Sequence, residues 1–230
     1  KLTAVLKLEP GMIIKFPTTQ MPREHIYQIT SINNLENVFV TNYDLDYYSI
    51  NDVDTWRPSK IAMPDIHKLP ITVITKRELM LEMIAYYYHN RDRCAVTETG
   101  ACLYYDARTK NRCIIGRCIK DTMVMSKQAL ASGVIPILKG HYGDPITLGV
   151  HPLIVNTFSP HEASYMQVVH DWIGKSPLRG KVFDKELDKI LSSINFTVFS
   201  PTKDAHMMLT VKAIKDHIDN FTPLWLPIHK

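Results

Sequence analysis

Four cysteines, Cys94, Cys102, Cys113 and Cys118, fall within one 25-residue window of a 230-residue chain. Thiolates bind soft metals, attack electrophiles and pair as disulfides, so this window is the first place to look for chemistry. Residues 101–119 read as a β-hairpin with arms at 101–105 and 112–119 and a polar loop, 106–111, between them. A register that sets Cys102 opposite Cys113 brings two thiols onto one face. Structural zinc prefers cysteines two to four residues apart; Cys113-x4-Cys118 only touches that range, and alternation puts its members on opposite faces of a straight strand. Cys102, Cys113 and Cys118 are therefore expected to be structural thiols, because free cysteines are among the most buried residue types; a metal site and a redox pair stand as the alternatives.

Around the hairpin, Arg91, Arg93, Arg108, Lys110, Arg112, Arg117 and Lys120 are interleaved with Tyr86, Tyr87, Tyr88, Tyr104 and Tyr105. Cations that follow phosphates and rings that stack on bases are the usual means of holding single-stranded nucleic acid. The expected contact surface is Arg108, Lys110, Arg112 and Arg117 with Tyr104 and Tyr105. The competing reading is a solvated hairpin whose tyrosines are half-buried in a core.

A third constellation is His170-Asp171, expected within a helix. An adjacent His-Asp pair lies at the centre of one class of metal phosphohydrolase, where further His and Asp residues complete the metal site. His141, His151 and His161 upstream and Asp188, Asp204, Asp216 and Asp219 downstream are the available ligands. That class is all-helical, whereas a hairpin is expected here; a local alternative has His161 and His170 capping their helix or bonding to a glycine-rich loop. Gly140-His141-Tyr142-Gly143-Asp144 offers a turn for a phosphate, without the Gly-Lys-Ser/Thr ending of a P-loop. Neither a Gly-x-Ser-x-Gly elbow nor a His-Glu-x-x-His motif occurs.

Two regions must position these groups. Residues 1–57 carry short β-rich runs at 4–8, 12–16, 25–32, 38–40 and 47–50, with turn signals at Glu9-Pro10-Gly11 and Asn33-Asn34, and predict a small SH3-like β-barrel. Within 25–32, Ile26, Gln28 and Thr30 should face one way and Tyr27, Ile29 and Ser31 the other. Residues 58–74, punctuated by Pro58, Pro64 and Pro70, read as an extended linker. Residues 75–230 predict an α+β domain, giving an α+β chain overall. Thr75 and Glu78 make a capping box before a helix with its stripe at Leu79, Met83, Ile84 and Tyr87. A helix is expected over 120–133, then an irregular Gly/Pro-rich segment over 133–153. Ser159-Pro160-His161-Glu162 signals a second capping box, for a helix stopping at Gly174. Further helices are expected over 184–194 and 202–220.

Composition excludes the extreme classes. Hydrophobic residues make up 45% and charged residues 22%, enough to build a core and unlike a disordered, collagenous or coiled-coil chain. No apolar run approaches the roughly 20 residues of a membrane helix, and the first eight residues are too short and charged for a signal peptide. Residues 1–70 hold 7 Lys/Arg against 8 Asp/Glu and residues 71–230 hold 20 against 15, so the net charge of +4 belongs to the second region. Cysteines confined to one window point to a reducing, cytoplasmic setting rather than a disulfide scaffold.

The arrangement Cys102-Leu103-Tyr104, a polar turn, Arg112-Cys113-Ile114-Ile115-Gly116-Arg117-Cys118 and then Gln167-Val168-Val169-His170-Asp171 resembles a loose group of uncharacterised phage-type proteins. Those proteins share "Cys-x-Tyr, turn, Cys-x-x-Gly" and a later Gln-x-x-His-Asp helix. The resemblance covers about residues 77–174 and implies a bacteriophage or prophage origin and work in the bacterial cytoplasm. The leading expectation is a non-enzymatic phage accessory protein that binds a host protein, another host macromolecule or nucleic acid, with no cofactor and no membrane. The alternatives are a metal-dependent phosphohydrolase or nucleotide-binding protein centred on His170 and Asp171, and a structural phage protein that self-assembles as a homo-oligomer.

Overall fold

The computed structural model describes residues 7–17, 24–33, 37–42, 59–119, 133–193 and 209–220, and the chain is mixed α+β. It divides into two compact units between Lys76 and Arg77.

The first unit is a five-stranded antiparallel sheet: β1 (Ile13–Pro17), β2 (Glu24–Asn33), β3 (Asn37–Asn42), β4 (Ser59–Ala62) and β5 (Thr72–Ile74), in the order β4-β3-β2-β1-β5. The Glu9-Pro10-Gly11 signal forms its turn: Gly11 has φ +89°, which only glycine adopts cheaply, and the Met12 amide donates to the Glu9 carbonyl at 3.2 Å. Ile14, Phe16, Tyr27, Ile29, Val38 and Val40 form one buried face, with the Phe16 and Tyr27 rings stacked at 4.3 Å. The expected alternation of β2 holds through Ile29 and then changes phase. The register against β3 passes from Ile29↔Val40 to Ser31↔Phe39, leaving Thr30 as an extra residue. This bulge turns Ile32, rather than Ser31, toward the core.

Two expectations are corrected here. Residues 58–74 are not an extended linker: they supply β4, β5 and the one-turn helix α1 (Met63–Ile66). The prolines mislead because Pro64 sits in the first turn of a helix and Pro70 precedes a strand, positions where a missing amide costs little. Ile66 is fully buried in the sheet core, so the connection from β4 to β5 crosses the sheet face. The sheet is open among the described residues, since β4 and β5 occupy opposite edges without pairing. The strands expected at 4–8 and 47–50 and the Asn33-Asn34 turn fall wholly or partly outside the described residues, although Leu8 contributes to the core.

The second unit is built on helices α2 (Lys76–His89), α3 (Val134–Leu138), α4 (Pro152–Thr157), α5 (Pro160–Lys175), α6 (Gly180–Ser193) and α7 (Val211–Asn220). Helix α2 starts directly after Thr75 and is buried well beyond its expected stripe, at Leu79–Ala85 and Tyr87. The Ser159 capping box forms in full: the Glu162 amide donates to Ser159 Oγ at 3.2 Å and the Ser159 amide to Glu162 Oε2 at 2.7 Å. Helix α5 continues through Gly174 to Lys175, where three carbonyls meet the Arg91 guanidinium: Nε donates to Ile173 O at 3.0 Å, Nη1 to Leu178 O at 2.7 Å and Nη2 to Ser176 O. A cation on the last carbonyls of a helix satisfies orphan acceptors and the helix dipole together. Residues 133–153 are not irregular throughout, since they contain α3. Helix α6 begins four residues before the expected start. The helix expected over 202–220 begins only at Val211, where Thr210 Oγ1 accepts the Ala213 amide at 3.1 Å as its cap. The helix expected over 120–133 lies outside the described residues except for Gly133.

Candidate functional site

The hairpin expected over 101–119 is only partly present. Its arms meet where the Cys113 amide donates to Leu103 O at 3.2 Å and the Asp106 amide to Asn111 O at 2.9 Å. The second arm is no strand, however: it coils into a 3-10 turn at Gly116–Cys118. The Cys-x-x-Gly spacing explains why. Cys113 Sγ accepts the Gly116 amide at 3.2 Å, and a Cβ on Gly116 would stand 1.9 Å from the Tyr104 carbonyl oxygen. Only glycine lets the two arms approach this closely. Arg112 Nη1 ties the turn by donating to Gly116 O at 3.1 Å and Ile119 O at 3.2 Å.

All four cysteines are free. Cys102 and Cys113 lie in hydrogen-bonding contact, which together with burial pushes the Cys102 thiol far above its ordinary range. Burial pushes Cys94 and Cys118 up to about 12. Thiols whose pKa is raised in this way are poor nucleophiles. Cys94 Cβ is 2.9 Å from where a side chain on Gly174 would begin, which ties the cysteine window closely to α5.

His170 is 1% exposed and lies edge-on to the Tyr87 ring at 4.5 Å. Its Nδ1 is 2.9 Å from Asp171 Oδ1, and Gln167 Nε2 donates to the same oxygen at 2.6 Å. A carboxylate oxygen only accepts, so both neighbours donate to it, while Gln167 Oε1 and His170 Nε2 are buried without a hydrogen-bond partner. The partners expected for a metal site are elsewhere. His161 lies nine residues up the same helix, about 13 Å along its axis. His151 Nδ1 caps α4 by accepting the Leu153 amide at 3.1 Å, and His141 is exposed. Asp188 caps α7 through the Val211 amide at 2.7 Å, and Asp216 pairs with Lys212. Asp204 and the Asp219 side chain lie outside the described residues. Among the described residues no group of three or more His, Cys, Asp or Glu is placed to hold a metal. The Gly140–Asp144 turn directs the Asp144 carboxylate onto the Thr147 amide and hydroxyl, at 2.8 and 2.9 Å, which puts an anion where a phosphate would need donors.

The six residues of the expected basic–aromatic surface divide into two groups. Tyr104 is buried, and burial holds its hydroxyl well above the usual range. Arg117 is 8% exposed, with its guanidinium 3.5 Å above the Tyr86 ring and 5.6 Å from that of Tyr87. Neither belongs to an open contact face. Tyr105 is 48% exposed, with the Arg112 guanidinium over its ring at 4.9 Å. Arg108 and Lys110 are exposed on the adjoining loop. That loop is tightly held: Asp106 Oδ1 accepts the Arg108 amide at 2.9 Å, Asp106 Oδ2 the Thr109 hydroxyl at 2.8 Å, and Asp106 O the Lys110 amide at 2.7 Å. The Thr109 hydroxyl and the Arg108 amide keep the Asp106 carboxyl below the ordinary range. Lys110 has φ +60°, the one non-glycine residue with positive φ among those described. Lys120 lies outside the described residues.

The stacking of Arg93 on Tyr86, at 4.4 Å, was not singled out by the sequence beyond its place in the basic cluster. The Tyr88–Asp184–Lys215 chain was missed altogether: Tyr88 Oη donates to Asp184 Oδ1 at 2.7 Å and Lys215 Nζ to Oδ2 at 2.6 Å, linking α2, α6 and α7. Its members are 96 and 31 residues apart, so no local spacing announces it. No family model matches this chain, and no curated protein or solved structure matches it either.

Proposed function

We propose that this chain is a non-enzymatic binding protein that holds single-stranded nucleic acid on the loop around Tyr105, Arg108, Lys110 and Arg112. The observation that carries the reading is the half-exposed Tyr105 ring, with Arg112 stacked over it and two exposed cations on a tightly hydrogen-bonded turn beside it. A base can stack on the ring while the cations follow the phosphates, and a loop already rigid loses little entropy on binding. The raised pKa values of the Cys94, Cys102 and Cys118 thiols make them poor nucleophiles, which is why we favour binding over catalysis.

The resemblance to phage-type proteins extends the proposal to a bacteriophage accessory protein that works in the cytoplasm of its bacterial host. No helix among the described residues is long and apolar enough to cross a membrane. We further infer that the first unit is an SH3-like module. Its support is a meander whose last strand returns beside the first, with a helical turn in the crossing connection.

The test is a fluorescence-anisotropy titration of a labelled single-stranded oligonucleotide with the full chain. Tyr105→Ala should weaken binding by about 1–3 kcal/mol, the usual value of one stacked base. Equal affinity of the variant and the parent would remove the loop as the contact surface, and capture of a host protein by the same loop would replace nucleic acid with protein as the partner.

A further inference from the structure

We propose that Cys102 and Cys113 are a redox-sensitive pair, which a low-molecular-weight disulfide converts to an intramolecular disulfide that staples the base of the loop 103–112. The proposal concerns the sulfurs at the two ends of that loop and does not depend on what the loop binds.

The four free cysteines are not placed alike. Cys94 Sγ donates to the His170 carbonyl at 3.8 Å and so turns to α5. Cys118 Sγ donates to Ile114 O at 3.9 Å, inside its own turn, and is 2% exposed. Cys102 and Cys113 meet each other instead. The Cys113 amide donates to Leu103 O at 3.2 Å, which joins the two arms one residue from Cys102. Gly116 lacks the Cβ that would hold the arms apart. Cys113 Sγ accepts the Gly116 amide at 3.2 Å, and the Cys102 thiol is in hydrogen-bonding contact with it as well. Sulfurs already in contact across two closely held arms close to a disulfide by side-chain rotation, without bringing distant backbone together.

Burial gives the two sulfurs different roles. Cys102 is half-buried and Cys113 fully buried, so an external disulfide reaches Cys102 first. The Cys102 sulfur attacks one sulfur of the reagent. The external S–S bond breaks, and its other sulfur leaves with the electron pair and takes up the Cys102 proton. The Cys113 sulfur then attacks Cys102 from inside the fold, the mixed disulfide breaks, and the second external thiol leaves with the Cys113 proton. Two protein thiols are oxidised and one external disulfide is reduced to two thiols. Burial and the contact with Cys113 hold the proton on Cys102, which keeps the first exchange slow near neutral pH. The pair therefore answers sustained oxidation and does not turn over as a catalyst. A disulfide of this kind in a reducing compartment is transient and reports the redox state.

The test equilibrates the full chain in buffers of set glutathione to glutathione-disulfide ratio, quenches with acid, alkylates, and reads the thiols by intact mass and peptide mapping. Cleavage at Glu98, Arg108 and Arg117 separates the four cysteines, so the mapping assigns any crosslink. Oxidising ratios should lower the free thiols from four to two, with Cys102 joined to Cys113. Cys102→Ser, a conservative change at the half-buried partner, should remove the crosslink. Repeating the equilibration in urea tests the fold itself: the native chain holds the two sulfurs together, so the equilibrium constant for oxidation should fall by about tenfold or more on unfolding. The proposal is overturned if all four thiols stay free at every ratio or if the crosslink joins other cysteines. It is equally overturned if a mixed disulfide with glutathione accumulates at Cys102 without closing, or if urea leaves the constant unchanged.

Discussion

Gly116 and Lys110 show how single residues hold the cysteine loop in shape and expose its tip. The Tyr104 carbonyl occupies the space a side chain on Gly116 would need, and because the obstacle is backbone, a rotamer change cannot relieve it. Gly116→Ala should therefore cost about 3 kcal/mol or more in urea unfolding, in the range of severe overpacking. A loss below about 1 kcal/mol would mean that the two arms do not lie this close. Lys110 presents the opposite situation. Its left-handed φ of +60° is strained for a lysine, yet its side chain is exposed and adds charge beside Tyr105. Lys110→Gly should thus raise stability, by about 0.5–1 kcal/mol, while weakening oligonucleotide binding. A variant that is both less stable and unchanged in binding would contradict the assignment of this lysine to the contact surface.

Among the elements, α2, α6 and α7 are joined by the Tyr88–Asp184–Lys215 chain. Burial works against the Asp184 carboxylate, but Lys215 and the Tyr88 hydroxyl more than offset it and hold its pKa below the usual carboxylate value. The folded-state pKa lies below that of the unfolded chain, so the contribution is complete above about pH 3.9 and is lost as pH falls through the folded value. Asp184→Asn should cost about 0.5–1 kcal/mol at pH 7, the level of a partly exposed pair, and the gap between variant and parent in urea midpoint should close toward pH 2. A gap that persists there would assign the effect to packing. The elements legible from sequence are those with local signals: the Ser159 capping box, the Glu9–Gly11 turn and the alternation of β2 up to its bulge. Strands β4 and β5 were not legible, because three- and four-residue edge strands are set by their neighbours in the sheet rather than by their own pattern. The second arm of the hairpin failed similarly, since its coil depends on Cys113 Sγ and the Tyr104 backbone meeting Gly116. The site was readable by composition but not by depth. Arginines and tyrosines mark the region, and only the tertiary fold sends Arg117 and Tyr104 inward while leaving Tyr105, Arg108 and Lys110 outside.

For the molecule as a whole, the uneven charge already seen in the sequence acquires a place. The Lys/Arg excess lies beyond residue 70, the part of the chain that carries the Tyr105 loop. Binding driven by phosphate contacts releases counterions and so weakens steeply with salt, whereas a merely solvated loop has no such dependence. The most direct test of the central claim is the affinity of the full chain for a single-stranded oligonucleotide measured across a range of salt concentrations, beside the Arg108→Ala/Lys110→Ala variant. The account predicts a linear fall of log K with log salt for the parent, and a slope shallower by about 1.4 in the variant, two phosphate contacts at roughly 0.7 each on a single strand. A parent that fails to bind at low salt, or a variant with the parent's slope, would contradict it.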